Sequence, residues 1–131
     1  MTTHARGTFD VQLHPLPLEE IASDSMIGRM SIDKQFHGDL AGTSKGQMLS
    51  VGTTTTGSAV YVAVERVTAT LAGKHGTFAL YHNASMTRGA PALSIRVVPD
   101  SGTGELAGIS GSMNIDVKDG EHAYTFDYDL A

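Results

Sequence analysis

"VVPDSGTGELAGISGSM" (97–113) is the stretch on which the choice of fold turns. Gly102, Gly104 and Gly108 look like a phosphate-binding loop, which would mean an α/β protein. A dinucleotide loop needs G-x-G-x-x-G between a strand and a helix, with the pyrophosphate over the helix N-terminus. Here the spacing is G-x-G-x-x-x-G, and "GISGSMNIDV" runs on as a strand. Pro99, Asp100, Ser101 and Gly102 supply turn chemistry, while Gly108 and Gly111 allow bulges or sharp curvature. The stretch therefore reads as a hairpin. Its glycines shape a sheet.

The same alternation continues in both directions, with glycine-rich punctuation and no sustained helical stripe. "ARGTFDVQLH" puts Ala5, Gly7, Phe9, Val11 and Leu13 on one face. "MIGRMSIDKQF" puts Met26, Met30, Ile32, Lys34 and Phe36 together, and a short strand follows near "GQMLSV". "SAVYVAVERVTAT", "KHGTFALYHN", "ALSIRVV", "GISGSMNIDV" and "HAYTFDYDL" complete about eight strands with short connections. "PLPLEEIASDS" (15–25) is the exception, a longer loop with room for one helical turn. Such a succession predicts an all-β protein: a closed eight-stranded antiparallel meander barrel, whose closure removes exposed edges. No linker interrupts it, so residues 1–131 are read as one β-barrel domain.

Composition narrows the partners. The 131 residues are 40% hydrophobic and 18% charged, ordinary for a globular chain that buries a core. A net charge of −5 and nine scattered basic residues argue against nucleic acid, whose phosphates require clustered Lys and Arg. The absence of cysteine removes disulfides, thiol nucleophiles and Cys-ligated zinc, and suits a reducing cytoplasm. "MTTHARGTFDV" lacks a signal-peptide apolar segment, and no run reaches membrane-spanning length. The expectation is a cytoplasmic protein without membrane contact.

Four stretches resemble one family: "KQFHGDLAGTSKGQML" (34–49), "YVAVERVTATLAGKHGTFALYH" (61–82), the opening stretch (97–113) and "HAYTFDY" (122–128). They resemble domain of unknown function 3224, small bacterial proteins whose known folds are similar to the allene oxide cyclase barrel. The resemblance covers nearly the whole chain and implies the same eight-stranded barrel, allene oxide cyclase-like. It carries no established reaction, and fold alone does not specify one. Ala69 in "TATLAG" stands where the family pattern has glycine, a departure that bears on strand curvature.

Alternation also indicates which polar side chains point inward. In the last strand Glu121, Thr125, Asp127 and Asp129 share a solvent face, so His122, Tyr124, Phe126, Tyr128 and Leu130 share the other. Phe78, Leu80 and His82 lie together, and Lys34 lies with Ile32 and Phe36. In "VYVAVERV", Tyr61, Ala63, Glu65 and Val67 share one face, and Val60, Val62, Val64 and Arg66 the opposite one. If the first set faces inward, Glu65 enters the barrel and the valines cover a subunit interface. If the second does, the valines are core and Arg66 sits at a rim. We adopt Glu65 inward.

A buried charge needs a partner, and Lys34 and Glu65 can serve each other, as a structural ion pair or as part of a site. The functional reading makes Glu65 a proton-transfer group of raised pKa through desolvation, and His82 its companion. Tyr61 or Tyr128 would donate to a carbonyl or developing oxyanion. The ligand wall would comprise Lys34, Phe36, Met48, Phe78, Leu80, Met113, His122, Tyr124 and Phe126. Met26, Met30, Met48 and Met113 are expected to fill irregular core gaps. No metal is expected, since neither H-x-x-x-H nor H-E-x-x-H occurs, and no cofactor is required.

The expected function is a cofactor-independent isomerase, dehydratase or cyclase for an apolar small molecule, in specialised metabolism. The alternatives are a noncatalytic small-molecule-binding barrel, and a filled structural barrel that forms a homodimer through Val60, Val62 and Val64. An open cavity with convergent acid–base groups points to the enzyme. A cavity without them points to a carrier, and a filled interior to the structural protein.

Overall fold

The protein was analysed as a computed structural model, which describes residues 2–17 and 26–130. Eight strands follow in order: β1 (Thr3–Pro15), β2 (Ile27–Gly38), β3 (Leu40–Gly52), β4 (Ala59–Leu71), β5 (Lys74–Thr87), β6 (Ala90–Val97), β7 (Ser110–Lys118) and β8 (Glu121–Asp129). Each pairs antiparallel with its sequence neighbour, and β8 returns to β1 through Thr3↔Tyr128 to Phe9↔His122. The expected closed meander barrel is what forms. Beyond Pro17, the helical turn expected in 15–25 falls outside the described residues.

β3 is longer than the short strand expected near "GQMLSV". Its first half, "LAGTSKG", is small and polar and carries no apolar alternation, yet pairs continuously with β4 from Leu40↔Leu71 to Gly52↔Ala59. The small residues are needed there because neighbouring backbone comes close. A Cβ on Gly42 would lie 2.7 Å from the Ala69 methyl, so the alanine at 69 fits opposite a glycine.

The connection after β6 is not a tight hairpin. Residues 98–109 fold across one end of the barrel, with a 3₁₀ turn at Gly104–Leu106 that buries Leu106 completely. The segment takes over the pairing that β6 leaves to the lower half of β5: Thr103 N donates to Thr77 O and Ala79 N donates to Ser101 Oγ. Gly102 is required by closeness, since a Cβ there would fall 2.1 Å from Leu106 O. The glycines of the opening stretch thus shape a plug, which β-pattern reading alone does not distinguish from a hairpin.

This plugged end holds most of the core. Leu40, Leu71, Leu106 and Ile109 lie over Phe78, Phe126 and Tyr128, whose rings stack in sequence at 5.6 and 5.4 Å. Along β4 the inward set is Ala63, Glu65, Val67, Ala69 and Leu71, while Val60, Val62 and Val64 are about half exposed outside. Leu49 and Tyr81 join these valines on the outer face, and Met26 is exposed rather than filling a core gap. No helix is long and apolar enough to cross a membrane.

Three two-residue turns join β4–β5, β5–β6 and β7–β8 through Ala72-Gly73, Arg88-Gly89 and Asp119-Gly120, all with positive φ. That is the type I′ geometry whose twist matches the flanking strands. Ala72, at φ 50°, is the least suited residue of the six, because its Cβ crowds the left-handed region that Asn tolerates. Ala72→Asn is expected to raise the unfolding free energy by roughly 0.5–1 kcal/mol in urea titration. An unchanged or lower midpoint would refute this account of the turn.

Candidate functional site

Four consecutive strands each send one polar side chain into the middle of the barrel. Lys34 comes from β2, Ser44 from β3, Glu65 from β4 and His82 from β5, and all four are buried. Lys34 Nζ donates to Glu65 Oε2 at 2.8 Å, and Ser44 Oγ donates to Glu65 Oε1 at 2.8 Å. His82 Nε2 lies 2.5 Å from Glu65 Oε2. The carboxylate is therefore held by three groups, and none of its surface reaches solvent. Lys34 is further enclosed by aromatic faces, its Nζ 4.9 Å from the Phe9 ring centroid and 5.8 Å from that of Phe36.

The protonation of Glu65 differs from expectation. Burial, the largest single influence, pushes its carboxyl up, but the hydrogen bonds and charges of His82 and Lys34 together outweigh burial. The result is a pKa of about 2, so Glu65 is a carboxylate at neutral pH. The reasoning from the strand pattern counted desolvation and missed the number of partners. An ionised Glu65 does not act as a proton donor; it orients and stabilises its neighbours.

His82 meets the carboxylate through Nε2, which leaves Nδ1 as its other ring nitrogen. Nδ1 has no hydrogen-bond partner, and no fully buried side-chain nitrogen or oxygen among the described residues lacks one. The Tyr61 ring lies 6.4 Å from the His82 ring, toward the barrel mouth. Burial first, and then the charge of Glu65, push the Tyr61 hydroxyl pKa up, so it remains a protonated donor.

Beyond Tyr61 the barrel opens. A cavity of about 550 Å³ occupies the end opposite the plug, bordered by Met48, Tyr61, Ala84, Met86, Pro91 and Leu93, with the 53–58 loop at its rim. Glu65 and His82 do not border this space; His82 lies level with Ala63, one inward position beneath Tyr61, and Glu65 lies one further down. The adjacent wall is the least paired seam, since only Ile95 and Arg96 of β6 pair with β7.

The remaining candidates are dispersed. Tyr128 is buried at the plugged end against Phe126, away from Glu65, His82 and Tyr61. Tyr124 is committed to the β2–β3 turn: its hydroxyl accepts from Leu40 N at 2.9 Å and donates to His37 O. Phe36, Phe78, Leu80, Met113 and Phe126 fill the interior. His122 is half-buried beside Phe9, their rings 5.1 Å apart. Met48 borders the cavity. Among the described residues no cluster of three or more His, Asp or Glu is arranged to hold a metal ion.

Ser44 was not among the residues the sequence pointed to. The signal for it is pairing: Lys34 lies opposite Ser44 in the β2–β3 ladder, which becomes visible only when "LAGTSKG" is taken as strand. The cavity-edge residues Ala84, Met86 and Leu93 were missed because they sit at strand ends, where burial falls away.

A buried carboxylate with three donors makes a definite stability claim. Its folded pKa lies below its ordinary value of 4.5, so its contribution is fully present above pH 4.5 and is lost as pH falls toward 2. The difference corresponds to roughly 3 kcal/mol. Glu65→Gln should lower the neutral-pH unfolding free energy by about 3 kcal/mol or more, because it leaves Lys34 unpaired. The gap to wild type should narrow between pH 5 and 2 in urea titrations. A gap independent of pH would mean that the carboxylate is not the stabilising species.

The comparisons with known proteins agree with the geometry of the barrel. The sequence model of the family described as "Protein of unknown function (DUF3224)" matches residues 5–128. A crystal structure of a DUF3224-family protein of unknown function from Shewanella oneidensis MR-1 is similar over the whole chain. It is 42% identical, covers 100% of this chain and 98% of its own, and superimposes with a TM-score of 0.94. None of the curated proteins compared matches.

Proposed function

From the premise that this chain belongs to the DUF3224 family, we propose that it binds an apolar small molecule in the open half of its barrel and rearranges it by proton transfer without a cofactor. The reaction class is isomerisation, dehydration or ring closure. The observation that carries the reading is the buried Glu65–His82 pair directly beneath a cavity whose innermost polar group is Tyr61. The expected allene oxide cyclase-like barrel belongs to the same proposal, supported by the unbroken β1-to-β8 meander.

In this reading His82 Nδ1 removes a proton from the ligand and returns it at another position, as a general base and then acid. Glu65 is a positioning residue. It holds the Nε2 proton, fixes the ring and stabilises the imidazolium that forms, while Lys34 and Ser44 hold the carboxylate in turn. The Tyr61 hydroxyl donates to the ligand oxygen on which negative charge develops. Tyr128 has no part in this arrangement.

A second reading, the noncatalytic binding barrel, is favoured by one observation: Tyr61 lies between the cavity and His82. The filled structural barrel is disfavoured by the cavity itself.

Two probes separate these readings. Nile red, uncharged and apolar, should fluoresce on binding to wild type and to His82→Gln, and fail to do so with Ala84→Trp, which fills the cavity. 5-Nitrobenzisoxazole, which opens on loss of one proton, should react at least tenfold faster with wild type than with His82→Gln. Nile red binding with no His82-dependent turnover would favour the carrier. Nile red binding unaffected by Ala84→Trp would exclude the cavity as the site.

A further inference from the structure

The described wall of the mouth cavity carries no ionisable group other than Tyr61. Met48, Ala84, Met86, Pro91 and Leu93 give it an apolar body, and the 53–58 loop adds a band of hydroxyls at the rim. Those hydroxyls are not equivalent. Thr53 Oγ1 donates to Ser58 O at 2.7 Å and Ser58 Oγ accepts from Arg88 N at 2.9 Å, so both are used in holding the loop. Among the described residues Ser50 and Thr56 make no side-chain hydrogen bond, and neither does the Tyr61 hydroxyl. The uncommitted polar groups are thus neutral hydroxyls: Tyr61 at the inner end, and Ser50, Thr55, Thr56 and Ser85 nearer the rim.

We infer that the ligand is an uncharged amphiphile, an apolar skeleton bearing a hydroxyl or carbonyl oxygen, and that the site rejects the corresponding carboxylate and ammonium. This rests on the binding reading above and specifies its substrate class. A carboxylate drawn into the cavity would lose its water without meeting a cation. Lys34, the nearest inward-facing cation, is already paired to Glu65 and enclosed by Phe9 and Phe36. An ammonium fares no better, because the Glu65 carboxylate already has three partners and is sealed from the cavity. A neutral oxygen can accept from Tyr61 or exchange hydrogen bonds with Ser50 and Thr56, and requires no counter-charge. The volume of about 550 Å³ falls within the range that encloses small organic ligands.

The test uses three ten-carbon chains that differ only in the head: decan-1-ol, decanoate and decylammonium, each displacing Nile red from the full chain at pH 7.5. Decanol is expected to displace the dye at a concentration at least tenfold below either ion. A second variant makes the claim specific: Ser50→Arg should supply the missing counter-charge and improve displacement by decanoate at least tenfold over wild type. Decanoate or decylammonium equal to decanol on wild type would overturn the inference and leave the binding reading intact. Displacement by none of the three, or displacement that persists in Ala84→Trp, would overturn the binding reading and this inference with it.

Discussion

The buried carboxylate of Glu65 is the constraint around which the barrel is organised. An ionised group sealed from water is tolerated only when every lone pair that water would have served is served by the protein. Lys34, Ser44 and His82 meet that demand from three other strands. Their convergence specifies the register of β2 to β5 at once. A slip of one residue in any of these strands would turn a partner outward and strand a charge. The apolar core does not discriminate in this way, because Val, Ala and Leu along β4 can exchange neighbours at smaller cost.

The two ends of the barrel express different solutions to the same closure problem. At one end residues 98–109 fold inward, seat Leu106 and satisfy the part of β5 that β6 leaves free. At the other end the strands run on past the last core layer, and β6 pairs with β7 at only two positions. The mouth cavity lies at this second end, and its neutral wall sits over the charged cluster with Tyr61 between them.

Much of the site was legible from period-two alternation. Lys34 on an apolar face, Glu65 opposite three valines and His82 beside Phe78 and Leu80 all follow from counting along a strand. Ser44 did not follow, since its segment is small and polar on both faces. The ionisation of Glu65 did not follow either: burial alone raises a carboxyl pKa, and only the count of donors reverses the sign. The tyrosines show the same limit. Tyr61, Tyr124 and Tyr128 all face inward by pattern, yet one borders the cavity, one fastens a turn and one stacks in the plugged end.

By itself, the sequence determined an all-β meander, the two faces of the strands that alternate clearly and the exclusion of a nucleotide loop at 97–113. These are local properties, set by the pleat and by turn chemistry over a few residues. The tertiary structure alone decided which inward groups meet, what protonation their meeting imposes, and where the barrel stays open. The Lys34–Glu65 bond joins residues 31 positions apart, and Glu65–His82 joins residues 17 apart. Such contacts depend on strand register and on the path of residues 98–109, and alternation along one strand carries no information about its height relative to the next.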